Sequence, residues 1–391
     1  MAIMVRVLTL STLFPDASRP GFGGFVERQT RALAARGDVE VRVAAPLGLP
    51  PFPLDRHPRY RALAALPRQE DWGGLAVLRP RFLNVPGTAG RHHPAMLARA
   101  LLPVLRDLRA AWPFDVIDAE FFFPDGPAAR ARGRALGVPV SIKARGSDVH
   151  VWGRARATAA QVLAAGRGAD GLLTVSDALK RDMVTMGMPG DRIRVHRTGV
   201  DPVFGSHDRA ASRKALGVTR PLVLSVGALT ANKGHEVLIR AMAAMPHAQL
   251  WIAGDGPERA RLSALVDTLG LGGRVRLLGP RPHAELPALH AAANVFALAS
   301  ASEGLANVWV EALASGTPVV TTDVGGAREV VTGEVGRLVE RTPAAFAAAL
   351  GELLAAPPPP AWVKAAVAGY SWTANAEALA AHLAGLVERH N

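Results

Sequence analysis

Residues 303–326 read EGLANVWVEALASGTPVVTTDVGG, and the order of acidic, apolar and small positions in this stretch decides the fold. The apolar run Val295–Ala299 before it reads as a strand, with Glu303 in the loop at its carboxyl end. A helix is predicted from about Leu305 to Ala314, with Gly316 as its stop. At roughly 100° per residue, Leu305, Val308, Trp309 and Ala312 form one stripe that would pack on a sheet. Asn307 and Glu311, four apart, share another face. The strand Pro318–Thr322 and the glycine pair Gly325–Gly326 follow. A loop acid, free helix amides and a helix acid would then surround one point. Amides suit a phosphate or sugar oxygen, and a carboxylate two turns in suits a pair of ribose hydroxyls. The chemistry is that of a nucleotide-sugar site.

Outward from this unit, the same rhythm fills the second half. Strands are predicted at Leu222–Val226, Gln249–Ala253, Val275–Leu278, Val295–Ala299 and Pro318–Thr322. Helical patterns lie between them, near His235–Met245, Glu258–Leu269, Ala284–Ala293 and Leu305–Ala314. Strict alternation with runs this apolar argues a parallel sheet covered on both faces. The first half repeats the pattern less cleanly, at Met4–Leu10, Glu40–Ala44, Ala76–Leu78, Asp115–Ala119, Val140–Ala144, Leu172–Val175 and Ile193–His196. The reading is α/β: two Rossmann-like, doubly wound domains facing across a cleft, residues 1–200 and 201–368, with a junction near Gly199–Thr219. After the prolines Pro357–Pro360, a last helix carries Trp372, Leu379, Leu383 and Leu386.

Composition narrows the chemistry. With no cysteine, disulfides, thiolate catalysis and cysteine-held zinc are excluded. No Asp-x-Asp pair and no HExxH cluster occur, so no metal site is expected. No run of 18 apolar residues exists and Arg6 interrupts the apolar start, so neither a spanning helix nor a signal peptide is expected, and the cytoplasm is the default. Residues 1–200 hold 29 Lys and Arg against 17 Asp and Glu, whereas residues 201–391 hold 16 of each. The whole excess of +12 therefore lies in the first half, which suggests an anionic contact such as a lipid surface or a lipid diphosphate. No nucleic-acid partner is expected. Arg99, Arg106 and Arg109 on the helix near Pro94–Ala111 are the candidate membrane contacts, with Leu97 and Leu101 dipping in if that helix is exposed.

Three further segments complete the pattern. VGALTANKGH places Lys233 in a loop after the Leu222–Val226 strand, as a point charge for a diphosphate leaving group. GFGGFVERQTRAL joins the first strand to a helix starting near Gly24. DVIDAEFFFPDG ends a strand at Glu120, and RGSDVH follows the next. Together with residues 303–326, these segments resemble the retaining family 4 glycosyltransferases, which have the GT-B fold. The resemblance covers nearly the whole chain and is strongest at 225–336.

The resemblance implies transfer of a hexosyl unit from a nucleotide-diphosphate sugar to a saccharide or lipid-linked saccharide acceptor, with retention, in bacterial exopolysaccharide or lipopolysaccharide assembly. It implies that Glu303 contacts the donor sugar, that the backbone of Gly304, Leu305, Ala306 and Asn307 lines that sugar, and that Glu311 holds the ribose. Gly227 and Lys233 would meet the diphosphate. Gly23, Gly24 and Glu120 would line the acceptor side, and the tail 369–391 would return to the first domain. No cofactor beyond the donor is implied. Two positions depart from the family pattern. Ala228 stands where an arginine usually accompanies the lysine, and Arg145 stands where many members carry a histidine near the transferred sugar. An arginine keeps its proton, so Arg145 is no general base, though it suits phosphate or sugar contact. These departures leave two alternatives: a GT-B nucleotide-sugar epimerase, and a non-catalytic nucleotide-sugar-binding subunit.

Overall fold

A computed structural model describes residues 4–390 of the chain. Two compact units emerge. One runs to Gly199 and resumes at Trp372; the other is Val200–Ser371. The first unit contains strands β1 (Val5–Leu10), β2 (Val39–Ala44), β3 (Leu47–Leu49), β4 (Gln69–Trp72), β5 (Leu75–Leu78), β6 (Arg81–Leu83), β7 (Val116–Ala119), β8 (Val140–Ala144), β9 (Gly171–Thr174) and β10 (Ile193–Val195). The second contains β11 (Leu222–Val226), β12 (Gln249–Ala253), β13 (Val275–Gly279), β14 (Val295–Leu298), β15 (Val319–Thr322) and β16 (Gly336–Val339).

In the second unit the strands run β13-β12-β11-β14-β15-β16, all parallel. The order reverses between β11 and β14, where Val223 pairs with Val295 and Leu224 with Phe296. Crossover helices leave toward opposite faces on the two sides of such a point, which opens a crevice at the carboxyl ends of those two strands. The central strands β11, β14 and β15 are buried throughout, as a sheet covered on both faces requires. The first unit repeats the principle in the order β10-β9-β8-β7-β1-β2-β5-β4, with its reversal between β1 and β7. Among the described strands of this sheet only the β4–β5 hairpin is antiparallel, and β3 pairs with β6 in a separate two-stranded sheet.

The helix Trp372–His390 belongs to the first unit. It buries Leu379, Leu383 and Leu386 among Val5, Val7, Leu33, Val116 and Leu173. The helix His93–Ala111 corrects one expectation. Leu97 and Leu101 are fully buried with Leu105 and Leu108, so they do not reach a membrane. Arg99 and Arg106 are exposed, while a guanidinium N–H of Arg109 donates to the Phe114 carbonyl at 3.1 Å. Among the described residues no helix is long and apolar enough to cross a membrane.

Truncating Leu383 should empty a fully packed site. Leu383→Ala is expected to lower the stability of the first unit by about 2–5 kcal/mol, seen as an earlier transition in chemical denaturation. An unshifted transition would mean that this helix contributes no packing to the unit.

Candidate functional site

In the second unit the two loops at the strand reversal close on each other. The loop after β11 presents Lys233, and the loop after β14 presents Glu303; Lys233 Nζ lies 2.5 Å from Glu303 Oε1. The Ser300 hydroxyl donates to the same carboxylate oxygen at 2.6 Å. Backbone and side chain zip the loops together. Ala301 N donates to the Asn232 carbonyl at 2.8 Å, and Asn232 Nδ2 to the Ser302 carbonyl at 3.0 Å. Arg341, just beyond β16, donates from Nε to the Ala299 carbonyl at 2.7 Å and from a terminal nitrogen to the Ala231 carbonyl at 2.6 Å. Its guanidinium thus holds both loops, a role that no motif in the sequence marks.

Glycines make this approach sterically feasible. Gly234 has φ +68°, and a Cβ there would sit 2.1 Å from the Ala299 carbonyl oxygen. Gly325 has φ +52°, and its Cβ would sit 2.2 Å from the Glu303 carbonyl oxygen. Gly326 N then donates to the Gly304 carbonyl at 2.8 Å. The glycine pair after β15 is therefore a backbone clamp on the Glu303 loop. Gly227 follows β11, and a Cβ there would touch the Lys233 stem at 3.8 Å.

The helix of the motif starts at Asn307, two residues later than the periodicity suggested, and ends at Ala314. Gly304, Leu305 and Ala306 belong to the preceding loop and are buried there. A phosphate or sugar oxygen would thus meet loop amides as well as helix amides. Glu311 is buried on the helix, and His283 Nε2 lies 3.3 Å from its Oε1. This histidine comes from the turn before the helix Leu286–Ala292. Ala228 is exposed at the start of its loop. Arg341 is committed to two carbonyls, so it does not substitute for a cation at position 228.

In the first unit the loops after β1 and β7 flank the other reversal. Gly23 has φ +67° ahead of the helix Gly24–Ala34, and a Cβ there would collide with the Leu13 carbonyl oxygen at 1.8 Å. Gly24 has space around it and meets only the Arg28 side chain, at 3.5 Å. Glu120 departs from its expected place as an acceptor-facing acid. It is wholly buried, accepts from Gln29 Nε2, and forms an ion pair with Arg145. Arg145 also donates from Nε to the Glu120 carbonyl at 2.8 Å, and its guanidinium lies 4.6 Å from the centre of the Phe25 ring. Behind this pair, buried Lys143 donates to Gln29 Oε1 and lies 2.8 Å from His196 Nδ1.

Burial acts on all these groups. It would raise the Glu120 carboxyl pKa, but Lys143 and Arg145 reverse the effect and hold it low. Burial pushes Lys143 down against the pull of Glu120. Burial and the neighbouring Glu120 carboxylate push Asp118 well up. Burial takes His196 down to about 3, which keeps it neutral. Asp148 accepts amide hydrogens from Phe122, Arg145, Gly146 and Val149 at 2.8–3.1 Å, and so builds the RGSD loop. Among the described residues no group of three or more His, Asp or Glu is placed to hold a metal ion.

Nearby Asp125 accepts from the Thr12 amide at 2.8 Å while its other oxygen has no partner. Burial raises it to about 7, although the Thr12 bonds pull the other way. Its folded pKa thus lies above the unfolded value near 4. The folded state binds this proton more tightly, so its contribution is full below pH ~4 and declines as pH rises to about 7. Asp125→Asn should therefore gain stability relative to wild type across that window, by a few kcal/mol at most. Denaturation at pH 4 and at pH 7 measures it, and a difference independent of pH would contradict the assignment.

Two family descriptions match the chain: Glycosyltransferase Family 4 over residues 21–204, and Glycosyl transferases group 1 over residues 208–370. A protein of Bacillus subtilis (strain 168), assigned as the teichuronic acid biosynthesis glycosyltransferase TuaC, is 29% identical over 329 residues, 82% of each chain. A D-inositol 3-phosphate glycosyltransferase of Mycobacterium tuberculosis is 38% identical over 179 residues, 42% of this chain and 37% of that protein. Among solved structures, sucrose-phosphate synthase from Thermosynechococcus elongatus superposes with a TM-score of 0.79 at 22% identity, covering 98% of this chain and 100% of that one. Anabaena HepE, solved in complex with UDP, gives 0.69 at 21% identity, with 98% of each chain covered. The shared fold is GT-B.

Proposed function

We propose, from the premise that the chain belongs to the family 4 glycosyltransferases, that it moves a hexosyl unit from a nucleotide-diphosphate sugar to a saccharide or lipid-linked saccharide acceptor, with retention. The observation that carries this reading is the Lys233–Glu303 contact at the β11–β14 reversal. An ammonium beside a carboxylate there offers a cation to the diphosphate and an acceptor to a sugar hydroxyl. HepE, which shares the fold, is known in complex with UDP-glucose. The relative named for teichuronic acid biosynthesis supports placing this transfer in bacterial exopolysaccharide or lipopolysaccharide assembly.

The acceptor hydroxyl attacks the anomeric carbon from the face that the diphosphate leaves. The carbon–oxygen bond to phosphate breaks, and the departing phosphate oxygen takes the hydroxyl proton. Products are the glycoside and the nucleoside diphosphate. Lys233 meets the charge growing on that oxygen, and Glu303 fixes the sugar. Ribose hydroxyls reach Glu311 as the half-exposed His283 gives way.

Glu311→Ala should weaken nucleoside diphosphate binding about 10- to 150-fold, since hydrogen bonds to a charged group contribute roughly 1.5–3 kcal/mol. Calorimetry with UDP, GDP and ADP tests this and identifies the base; unchanged affinity in a folded variant places Glu311 outside the site. Lys233→Ala should reduce turnover by about 100-fold while changing donor affinity less, because the charge it meets peaks as the bond breaks. Equal losses in affinity and turnover would show uniform binding instead.

A further inference from the structure

The sequence PPFPLDRHPRYRALAAL, residues 50–66 between β3 and β4, forms an excursion on the first unit. It contains a single turn, Leu54–Arg56, and the helix Pro58–Ala65, and neither has a buried residue. Phe52 is 70% exposed and Leu54 is 49% exposed. Leu83 is 41% exposed and pairs in register with Leu49, three residues before Phe52. Eight large apolar side chains are exposed among the described residues; two of them belong to this excursion, and Leu83 lies on the strand paired with the residues that lead into it. Arginines surround them. The Arg56 guanidinium lies 4.9 Å from the Phe52 ring centre, and that of Arg59 lies 5.7 Å from the Tyr60 ring centre. Arg61 is exposed on the same short helix. Against these three cations the excursion carries one acid, Asp55, and no ion pair among the described residues neutralises Arg56, Arg59 or Arg61.

An apolar tip ringed by unpaired guanidinium groups has the chemistry of an interfacial anchor, with the ring and leucine entering the acyl boundary and the cations meeting lipid phosphates. A protein partner of apolar character would leave the arginines without counterions, and a soluble polyanion would leave Phe52 and Leu54 in water. We propose that residues 52–61 dock the first unit on an anionic bilayer surface. The contact thus lies on this excursion, and the helix His93–Ala111, whose leucines are buried, does not provide it.

Co-sedimentation of the full chain with phosphatidylglycerol–phosphatidylcholine vesicles, compared with phosphatidylcholine alone, tests the proposal. At low salt the wild type should pellet with the anionic vesicles only. Each arginine near such a surface is worth about fivefold in partitioning, so R56E/R59E/R61E should weaken binding at least ~100-fold, while the corresponding lysine triple variant retains it. F52S/L54S should lose roughly tenfold, because the apolar part of the contact is removed. These side chains are exposed, so thermal melting of each variant should match wild type. Phe52→Trp should add a blue-shifted emission component on anionic vesicles and none on neutral ones. The proposal is overturned if wild type stays in the supernatant at low salt, if R99E/R106E abolishes binding while R56E/R59E/R61E does not, or if the Phe52→Trp spectrum is unmoved by anionic vesicles.

Discussion

Two strands that are neighbours in space but not in sequence, β11 and β14, create the conditions for everything at the candidate donor site. Their pairing reverses the strand order and sends the flanking crossovers to opposite faces. Both carboxyl-end loops are then free of an overlying helix and converge. Convergence brings backbone against backbone, so glycine is required where a Cβ would strike a carbonyl, at Gly234 and Gly325. The side chains delivered by the two loops, Lys233 and Glu303, meet as a consequence of that closeness. Arg341 and Asn232 hold the loops in this arrangement through main-chain carbonyls. Such preorganisation matters because a cation acts on a transition state only if it need not be repositioned as charge develops.

The two units treat charge in opposite ways. Lys233 and Glu303 are partly exposed, so each can exchange its partner for a ligand group without stranding a buried charge. Glu120 and Arg145 are enclosed, with Gln29 and Lys143 behind them. Removing one member of a buried pair leaves the other uncompensated, a penalty of about 3–5 kcal/mol, so such a pair is fixed in place. With a histidine at position 145, the carboxylate at 120 would face a group that titrates near neutrality. At this position the arginine sets its guanidinium against the Glu120 carboxylate, and burial keeps His196 neutral beside it.

Most of the fold was legible because buried parallel strands write themselves as short apolar runs. Leu222–Val226, Gln249–Ala253 and Val140–Ala144 were read to the residue. What escaped were strands whose burial is one-sided or slight: β4, with Gln69 and Asp71 exposed, the three-residue β3 and β6, and β16 with one buried residue in four. The helix start at Asn307 was misplaced because Leu305 is buried from the loop, where burial carries no helical period. At the site, the local motif announced Glu303, Glu311 and Lys233, but not their companions. Arg341 and His283 act from segments 38 residues after Glu303 and 28 before Glu311, and no spacing rule links such positions. Glu120 was legible as the end of a strand, but its enclosure depends on Gln29 and Lys143 from other elements.

Net charge alone does not locate a surface suited to an anionic contact. The first half holds the whole +12 excess, yet many of its arginines are structural. Arg79 is fully buried against Glu70 and the Pro15 carbonyl, Arg31 is shared between Glu27 and the Trp72 and Gly73 carbonyls, and Arg145 is committed to Glu120. A guanidinium fitted to carbonyls and carboxylates has given up the hydration that makes it available to a phosphate. What distinguishes a contact surface is the coincidence of unpaired cations with apolar side chains that gain nothing from the fold. The amphipathic stripe on His93–Ala111 fails that test because its leucines already face the core. Phe52 and Leu54 meet it: their exposure contributes no packing to the unit, and no ion pair among the described residues holds Arg56, Arg59 or Arg61.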